Sequence, residues 1–236
     1  MGGVIHDAGH TGVSNSTLME EEPEVAARYN RQSVAEQRSI DLAWAQLMLP
    51  RYDALRRCMF ADSRDVRHFR QLLVNLGLAT DIFDKELSRL RTARWNAAFG
   101  NSPTTTHENE SPKLRSDRRA TIVIEHLIQA SDVAHCMQHF VVYLKWNQRL
   151  FQEMHQAYVT GRSDKDPSVN WYEGELWFFD MYIIPLAMKL AECGVFGVSS
   201  DEYLSYAKMN RQEWALRGRD IVAEMVAEAE SSGFEL

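Results

Sequence analysis

The stretch His6-Asp7-Ala8-Gly9-His10-Thr11-Gly12-Val13-Ser14-Asn15 concentrates chemistry near the start of the chain. Adjacent imidazole and carboxylate groups offer one nitrogen and one oxygen ligand from a single piece of backbone, a pairing suited to a borderline or hard divalent ion such as zinc or magnesium. A polar loop with surface histidines explains the string equally well when it is taken alone. Asp132 adds weight. It follows Ile128 by four residues and Ile124 by eight, which sets a carboxylate on the apolar stripe of a helix predicted over 113–160. There it is costly unless protonated, paired or bound to metal. His135 and His139 follow at i+3 and i+7, so a local Asp/His/His trio is one reading. Hydrogen-bonded pocket or core histidines are the other, since one helix face holds two ligands of an ion more readily than three. Thr80 and Asp81 place a hydroxyl and a carboxylate beside an apolar stripe, and back-bonding of the hydroxyl to its own helix would satisfy it. Glu36 stands at capping-box spacing from Ser33, which explains it without chemistry.

These groups must be held by helices, because strand signals are absent. Over 64–98 the residues Val66, Phe69, Leu73, Leu76, Thr80, Phe83, Leu87 and Leu90 recur at alternating intervals of three and four, one face of a helix. The 113–160 segment lacks Pro and Gly and carries Ile124, Ile128, Tyr143, Trp146, Leu150 and Met154 in period. A third helix fits 172–192, with a kink expected at Pro185. A fourth starts at about 200, after a capping box of Ser199 and Glu202, and runs towards Ala229. Another capping box, Ser33 with Glu36, opens a helix through Leu49 that Pro50 ends. Residues 101–119, rich in Thr, Ser, Asn, Pro and charge, predict a flexible exposed loop. The expected fold is all-α, one compact multi-helix domain over 1–236.

Composition narrows the function classes. Among 236 residues, 45% are apolar and 25% charged, an ordinary globular balance rather than that of a disordered chain. With 26 Lys and Arg against 33 Asp and Glu, the net charge of -7 argues against nucleic-acid binding. Cys58, Cys136 and Cys193 are widely spaced and predict reduced thiols, hence a cytoplasmic setting. Apolar runs such as Phe140–Leu144 and Met181–Met188 fall short of the ~20 residues of a membrane span, so this segment should be soluble and make no membrane contact. Trp44, Trp95, Trp146 and Trp214 read as core anchors, and Glu20–Glu24 and Arg91–Arg94 as solvated faces.

Taken in order, His6-Asp7-x-x-His10-x-Gly12-x-x-Asn15, Tyr29-Asn30-x-x-Ser33-Val34-x-Glu36, Ala79-Thr80-Asp81, Asp132 and the stretch Phe178–Leu186 resemble the class I 3',5'-cyclic-nucleotide phosphodiesterase catalytic domain across residues 4–195. The resemblance implies an all-α fold, two divalent ions (Zn2+ with Mg2+ or Mn2+), and cleavage of cAMP or cGMP to the nucleoside 5'-monophosphate. It implies that His6, Asp7 and Asp132 are ligands of the tighter metal, with Asp7 bridging to the second. It implies that His10, Glu36, Thr80 and Asp81 stand behind them and orient the waters on the ions. Glu175, Phe178, Leu150, His135 and Tyr143 fall at substrate-pocket positions. Two-metal hydrolysis explains why acidic side chains serve an anionic substrate.

Departures from the family pattern carry expectations too. The upstream H-N-x-x-H segment, which supplies the general-acid histidine and another histidine ligand, has no counterpart before His6. The expectation is therefore an N-terminally truncated domain lacking its first helices, a poor or inactive catalyst by itself, whose parent can carry upstream regulatory or membrane-anchoring segments. Gly9 replaces a family Asp, His135 an Asn and Trp177 a Gly. Glu175 stands where the family places the glutamine that reads the purine edge, three residues before the aromatic clamp Phe178, with Leu150 as the opposite jaw. An ionised carboxylate only accepts hydrogen bonds, which suits the N1–H and N2–H donors of guanine and leans the specificity towards cGMP; a protonated one mimics the amide. Two other readings are a catalytically dead fragment that binds a nucleotide or a partner, and an HD-type metal-dependent phosphohydrolase. The latter shares the His-Asp pair and a downstream Asp but leaves Phe178–Pro185 unexplained.

Overall fold

Helix termination by side chains decides this architecture as much as hydrophobic periodicity does. The structure, a computed structural model, describes residues 2–99, 111–194 and 197–232. Among them the chain forms α-helices and short tighter or wider turns, with no strand. The helices are α1 (Gly2–Ile5), α2 (Asn15–Glu21), α3 (Pro23–Arg28), α4 (Val34–Leu47), α5 (Asp53–Met59) and α6 (Ser63–Thr80). They continue as α7 (Lys85–Phe99), α8 (Pro112–Asp132), α9 (Phe140–Val159), α10 (Trp171–Phe178), α11 (Ile184–Cys193) and α12 (Ser200–Ser232). The contacts divide the chain into two compact units, one of Met1–Thr11 with Leu18–Asp132 and one of Gly12–Thr17 with Val133–Leu236.

In the first unit, the helix expected over 64–98 is two helices, α6 and α7. Asp81 Oδ1 accepts the backbone N–H groups of Phe83 and Asp84 at 3.2 and 3.1 Å, and Asp84 Oδ1 accepts those of Glu86 and Leu87, each at 2.9 Å. These turns offer the backbone a better set of partners than a continued helix. Phe83, on the expected apolar stripe, is consequently 82% exposed. The capping box at Ser33 is also overturned. Ser33 sits in the left-handed region at φ 40° and caps nothing with its side chain; its hydroxyl instead donates to Asp81 Oδ2 at 2.7 Å. The α4 helix still stops before Pro50. Against it packs α6, at a contact so close that a Cβ on Gly77 would collide with the Ile40 side chain.

α8 begins at Pro112, where a missing N–H costs nothing, so 112–119 are helix rather than loop. Residues 101–110 of the expected loop lie outside the described residues. The α8 helix seats on α6 through a buried cluster of Leu76, Ala79 and Ile128, joined by Leu72.

In the second unit, the rest of the expected 113–160 helix appears as a 3-10 turn, Ala134–Met137, followed by α9. His139 Nδ1 accepts the Val141 N–H and starts α9, while the buried Asn210 amide of α12 donates to the Cys136 and Gln138 carbonyls at 3.0 and 2.7 Å. A side chain that satisfies two linker carbonyls makes the break stable. Where a kink at Pro185 is expected, a π-helical turn, Phe179–Ile183, separates α10 from α11, and Pro185 stands in the first turn of α11, where its missing N–H costs nothing. Trp214, Tyr143 and Phe179 are fully buried, with the Tyr143 ring edge-on to Phe179 at 5.2 Å and to Trp214 at 5.7 Å. Trp95 is also core, whereas Trp146 is 48% exposed beneath the Arg149 guanidinium and Trp44 is half-buried against Arg70. The three cysteines are free thiols. Among the described residues no helix is long and apolar enough to cross a membrane.

Candidate functional site

The one-turn α1 sets the first site in place. Gly2 and Gly3 let its backbone approach α6 and α8: a Cβ on Gly2 would lie 3.3 Å from both Ile128 and Leu76, and one on Gly3 3.6 Å from the Ser131 hydroxyl. The chain then turns through the bonds His6 N–Gly2 O, Ala8 N–Ile5 O and His10 N–Asp7 O, with Gly9 at a positive φ of 75°. This short turn delivers the His6 imidazole to Asp132, the last residue of α8. His6 Nε2 lies 3.0 Å from Asp132 Oδ1 and 3.1 Å from Asp7 Oδ2.

One nitrogen and two carboxylate oxygens thus lie within 4.8 Å of one another, a donor set that fits a divalent cation. Asp132 is 30% exposed and Asp7 66%, so the carboxylates leave one side of the group open. Hydrogen bonding to Asp132 and then to Asp7 raises the His6 pKa to about 10 against the opposing effect of burial. His6 in turn holds Asp7 below the ordinary carboxylate value. Two carboxylates that keep an imidazole protonated are a cation-seeking pair, and the buried Nδ1 has no hydrogen-bond partner.

Other expected residues of this site are placed as follows. His10 is exposed and its charge contributes to lowering the Asp7 pKa. Glu36 lies in the first turn of α4, half-buried. The Thr80 hydroxyl donates to Gly77 O at 2.7 Å, the back-bond to its own helix. The buried Asp81 divides its oxygens between Ser33 and the turn after α6. His135 and His139 fall in and after the 3-10 turn that follows α8, so neither shares a helix face with Asp132.

In the second unit Tyr143, Asn147 and Leu150 follow one another along α9, and Glu175 and Phe178 along α10. Tyr143 OH donates to Glu175 Oε2 at 2.8 Å. Trp171 Nε1 donates to Asn147 Oδ1 at 3.1 Å, which turns the Asn147 amide nitrogen to Glu175 as a second donor. Burial pushes the Glu175 carboxyl up to about 7, and the bonds from Tyr143 and Asn147 oppose that rise. Burial and the Glu175 charge together push the Tyr143 phenol well above its ordinary value, so it stays a donor. The Phe178 ring is stacked on Tyr182 at 5.3 Å, Leu150 is exposed, and His135 is half-buried. Asn147, not singled out by the sequence, was legible only as a polar residue on an apolar stripe.

An adjacent His-Asp pair is thus brought to a distant aspartate at the end of a helix. The family model described as 3'5'-cyclic nucleotide phosphodiesterase matches residues 1–194, and the chain belongs to that family. It is 27% identical over 154 residues to the Caenorhabditis elegans protein named "Probable 3',5'-cyclic-AMP phosphodiesterase pde-4", covering 64% of this chain and 21% of that protein. It is 24% identical over 154 residues to 3',5'-cyclic-AMP phosphodiesterase 4C of Mus musculus, with the same shares, 64% and 21%. The chain therefore spans about a fifth of the length of these curated relatives. Its fold is similar to the phosphodiesterase domain of the Salpingoeca rosetta rhodopsin phosphodiesterase, with a TM-score of 0.70 at 18% identity over 98% of this chain and 67% of that one.

Proposed function

We propose that the chain serves metal-dependent hydrolysis of a 3',5'-cyclic nucleotide, cAMP or cGMP, to the nucleoside 5'-monophosphate in a cytoplasmic setting. The observation that carries this reading is the convergence of His6, Asp7 and Asp132 in a chain of this family. The names of the curated relatives, both cyclic-AMP phosphodiesterases, support the substrate class.

His6, Asp7 and Asp132 would hold the tighter of two divalent ions, with Zn2+ there and Mg2+ or Mn2+ as the second, and the more exposed Asp7 would be shared between them. Bound there, a divalent ion supplies Lewis-acid polarisation of the phosphate. His6 enters that state by giving up the proton that Asp132 and Asp7 stabilise. Asp81 acts from behind by fixing the loop before α4, which brings Glu36 into its first turn. His10, Glu36 and Thr80 would orient waters on the ions, Thr80 through the lone pairs left after its bond to Gly77.

In the second unit, Phe178 and Leu150 would hold the purine between them, His135 and Tyr143 would complete its surroundings, and Glu175 would read its edge. With Tyr143 and Asn147 donating to it, ionised Glu175 offers the ligand acceptors only, which favours guanine; protonated, it offers a donor as well. The test is hydrolysis of cAMP and cGMP by the 236-residue chain with Mn2+ or Mg2+, alongside Asp132→Asn. Turnover that Asp132→Asn lowers by ~100-fold or more supports the reading. Metal or nucleotide binding with no turnover in either protein identifies a dead binding fragment instead.

A further inference from the structure

We infer that Gln129 is the positioning residue for Asp132, through the bond its side-chain amide makes to the open end of α6; this rests on the metal-site reading above. A helix ends with carbonyls that have no partner in the helix. At the end of α6 these are taken up one by one: Gly77 O by the Thr80 hydroxyl, Leu78 O and Asp81 O by the Arg91 guanidinium of α7 at 3.2 and 3.1 Å, and Ala79 O by Gln129 Nε2 of α8 at 2.9 Å. Both Ala79 and Gln129 are buried.

Gln129 lies one turn before Asp132, and α8 ends at Asp132. The α-helix stops at the ligand and only a short 3-10 turn, Ala134–Met137, follows, so on the α8 side its place is set by how the last turn of α8 docks. Most of that docking is apolar: Ile128 against Leu76 and Ala79, with Gly2 of α1 close to both Ile128 and Leu76 and Gly3 close to Ile128. Apolar contact fixes how near two helices lie but hardly resists rotation of one about its axis, because it has no direction. A hydrogen bond does have direction. The Gln129–Ala79 bond is a directional link from the last turns of α8 to the end of α6, and it sets the rotation at which the Asp132 carboxylate meets His6 Nε2. Without it the Ala79 carbonyl is left buried and unsatisfied, and the α8 terminus can turn to relieve it.

Mn2+ affinity by calorimetry on the full chain, with thermal midpoints and the visible spectrum of the Co2+-loaded protein, tests this. Gln129→Met keeps volume and removes the donor; Gln129→Asn keeps the amide but is one methylene short, and serves if the first variant does not fold. Arg94→Met is the control, since it breaks an ion pair to the buried Glu125 elsewhere on α8. Either Gln129 variant should weaken Mn2+ by ~10-fold or more and shift the Co2+ bands, while Arg94→Met lowers the midpoint and leaves both unchanged. Wild-type affinity in the Gln129 variants, or an equal loss in Arg94→Met, overturns the inference. Mn2+ affinity insensitive to Asp132→Asn, or no uptake by the wild type, overturns the metal reading itself.

Discussion

The imidazole of His6 and the carboxylate of Asp132 meet at 3.0 Å although 126 positions separate them in the chain. The contact joins the turn after α1 to the end of α8, and the proposed metal site is built on this pair. A proton and a divalent ion compete for the same nitrogen. Because Asp132 and Asp7 raise the His6 pKa to about 10, metal uptake at neutral pH must release that proton. Mn2+ affinity should therefore rise by up to ~10-fold per pH unit between pH 7 and 9, with about one proton released in calorimetry repeated in buffers of different ionisation enthalpy. An affinity flat across that range contradicts the assignment of His6 as a ligand.

Without metal, the same pair gives a stability signature. The folded pKa of about 10 lies above the ordinary 6.5, so the folded state binds more protons between those values. The stabilisation is complete below pH 6.5 and is lost as pH rises towards 10. The thermal midpoint of chelator-treated protein should fall across that window, and His6→Gln should flatten the fall. A midpoint that rises there is the opposing result.

Glu175 has its own linkage, again with the folded pKa raised, to about 7 from 4.5 by burial. The folded state binds the extra proton, so stability is highest below pH 4.5 and declines as pH climbs to 7. Glu175→Gln removes that decline and should stabilise the protein at pH 8 by on the order of 2 kcal/mol, with little effect at pH 4. The same change should move the cGMP to cAMP rate ratio: in the wild type it rises from pH 6 to pH 8 as the carboxyl ionises, and in the variant it stays level. A wild-type ratio independent of pH counts against Glu175 as the group that reads the base.

The bond between Ser33 and Asp81 predicts a coupling that the sequence does not suggest. Ser33→Ala should cost about 1 kcal/mol and Asp81→Ala about 3 kcal/mol, since the latter also strips the turn between α6 and α7 of its acceptor. In a double-mutant cycle by urea unfolding, the two should be non-additive by about 1 kcal/mol. Additive costs would mean that each residue acts alone.

The helical class was legible because periodicity is written in local residue types, whereas His6-Asp7 was joined to Asp132 only through the ordered resemblance to the family. The helix ends were less so. The apolar stripe runs on through Phe83, so the break at Asp81–Asp84 shows only in backbone bonds to two aspartates. The break before α9 depends on Asn210, which the fold brings to the Cys136 and Gln138 carbonyls from far along the chain. Ser33 with Glu36 has the spacing of a capping box, yet the buried Asp81 competes for the hydroxyl and wins. Gln129 was invisible for the same reason, since its partner is a carbonyl freed by the end of another helix.

Anomalous diffraction from crystals of the chain grown with Mn2+ tests the central claim most directly. The account predicts an ion about 2.0–2.3 Å from His6 Nε2 and from carboxylate oxygens of Asp7 and Asp132. An anomalous map with no ion among these three residues, or with Mn2+ seated elsewhere, would contradict it.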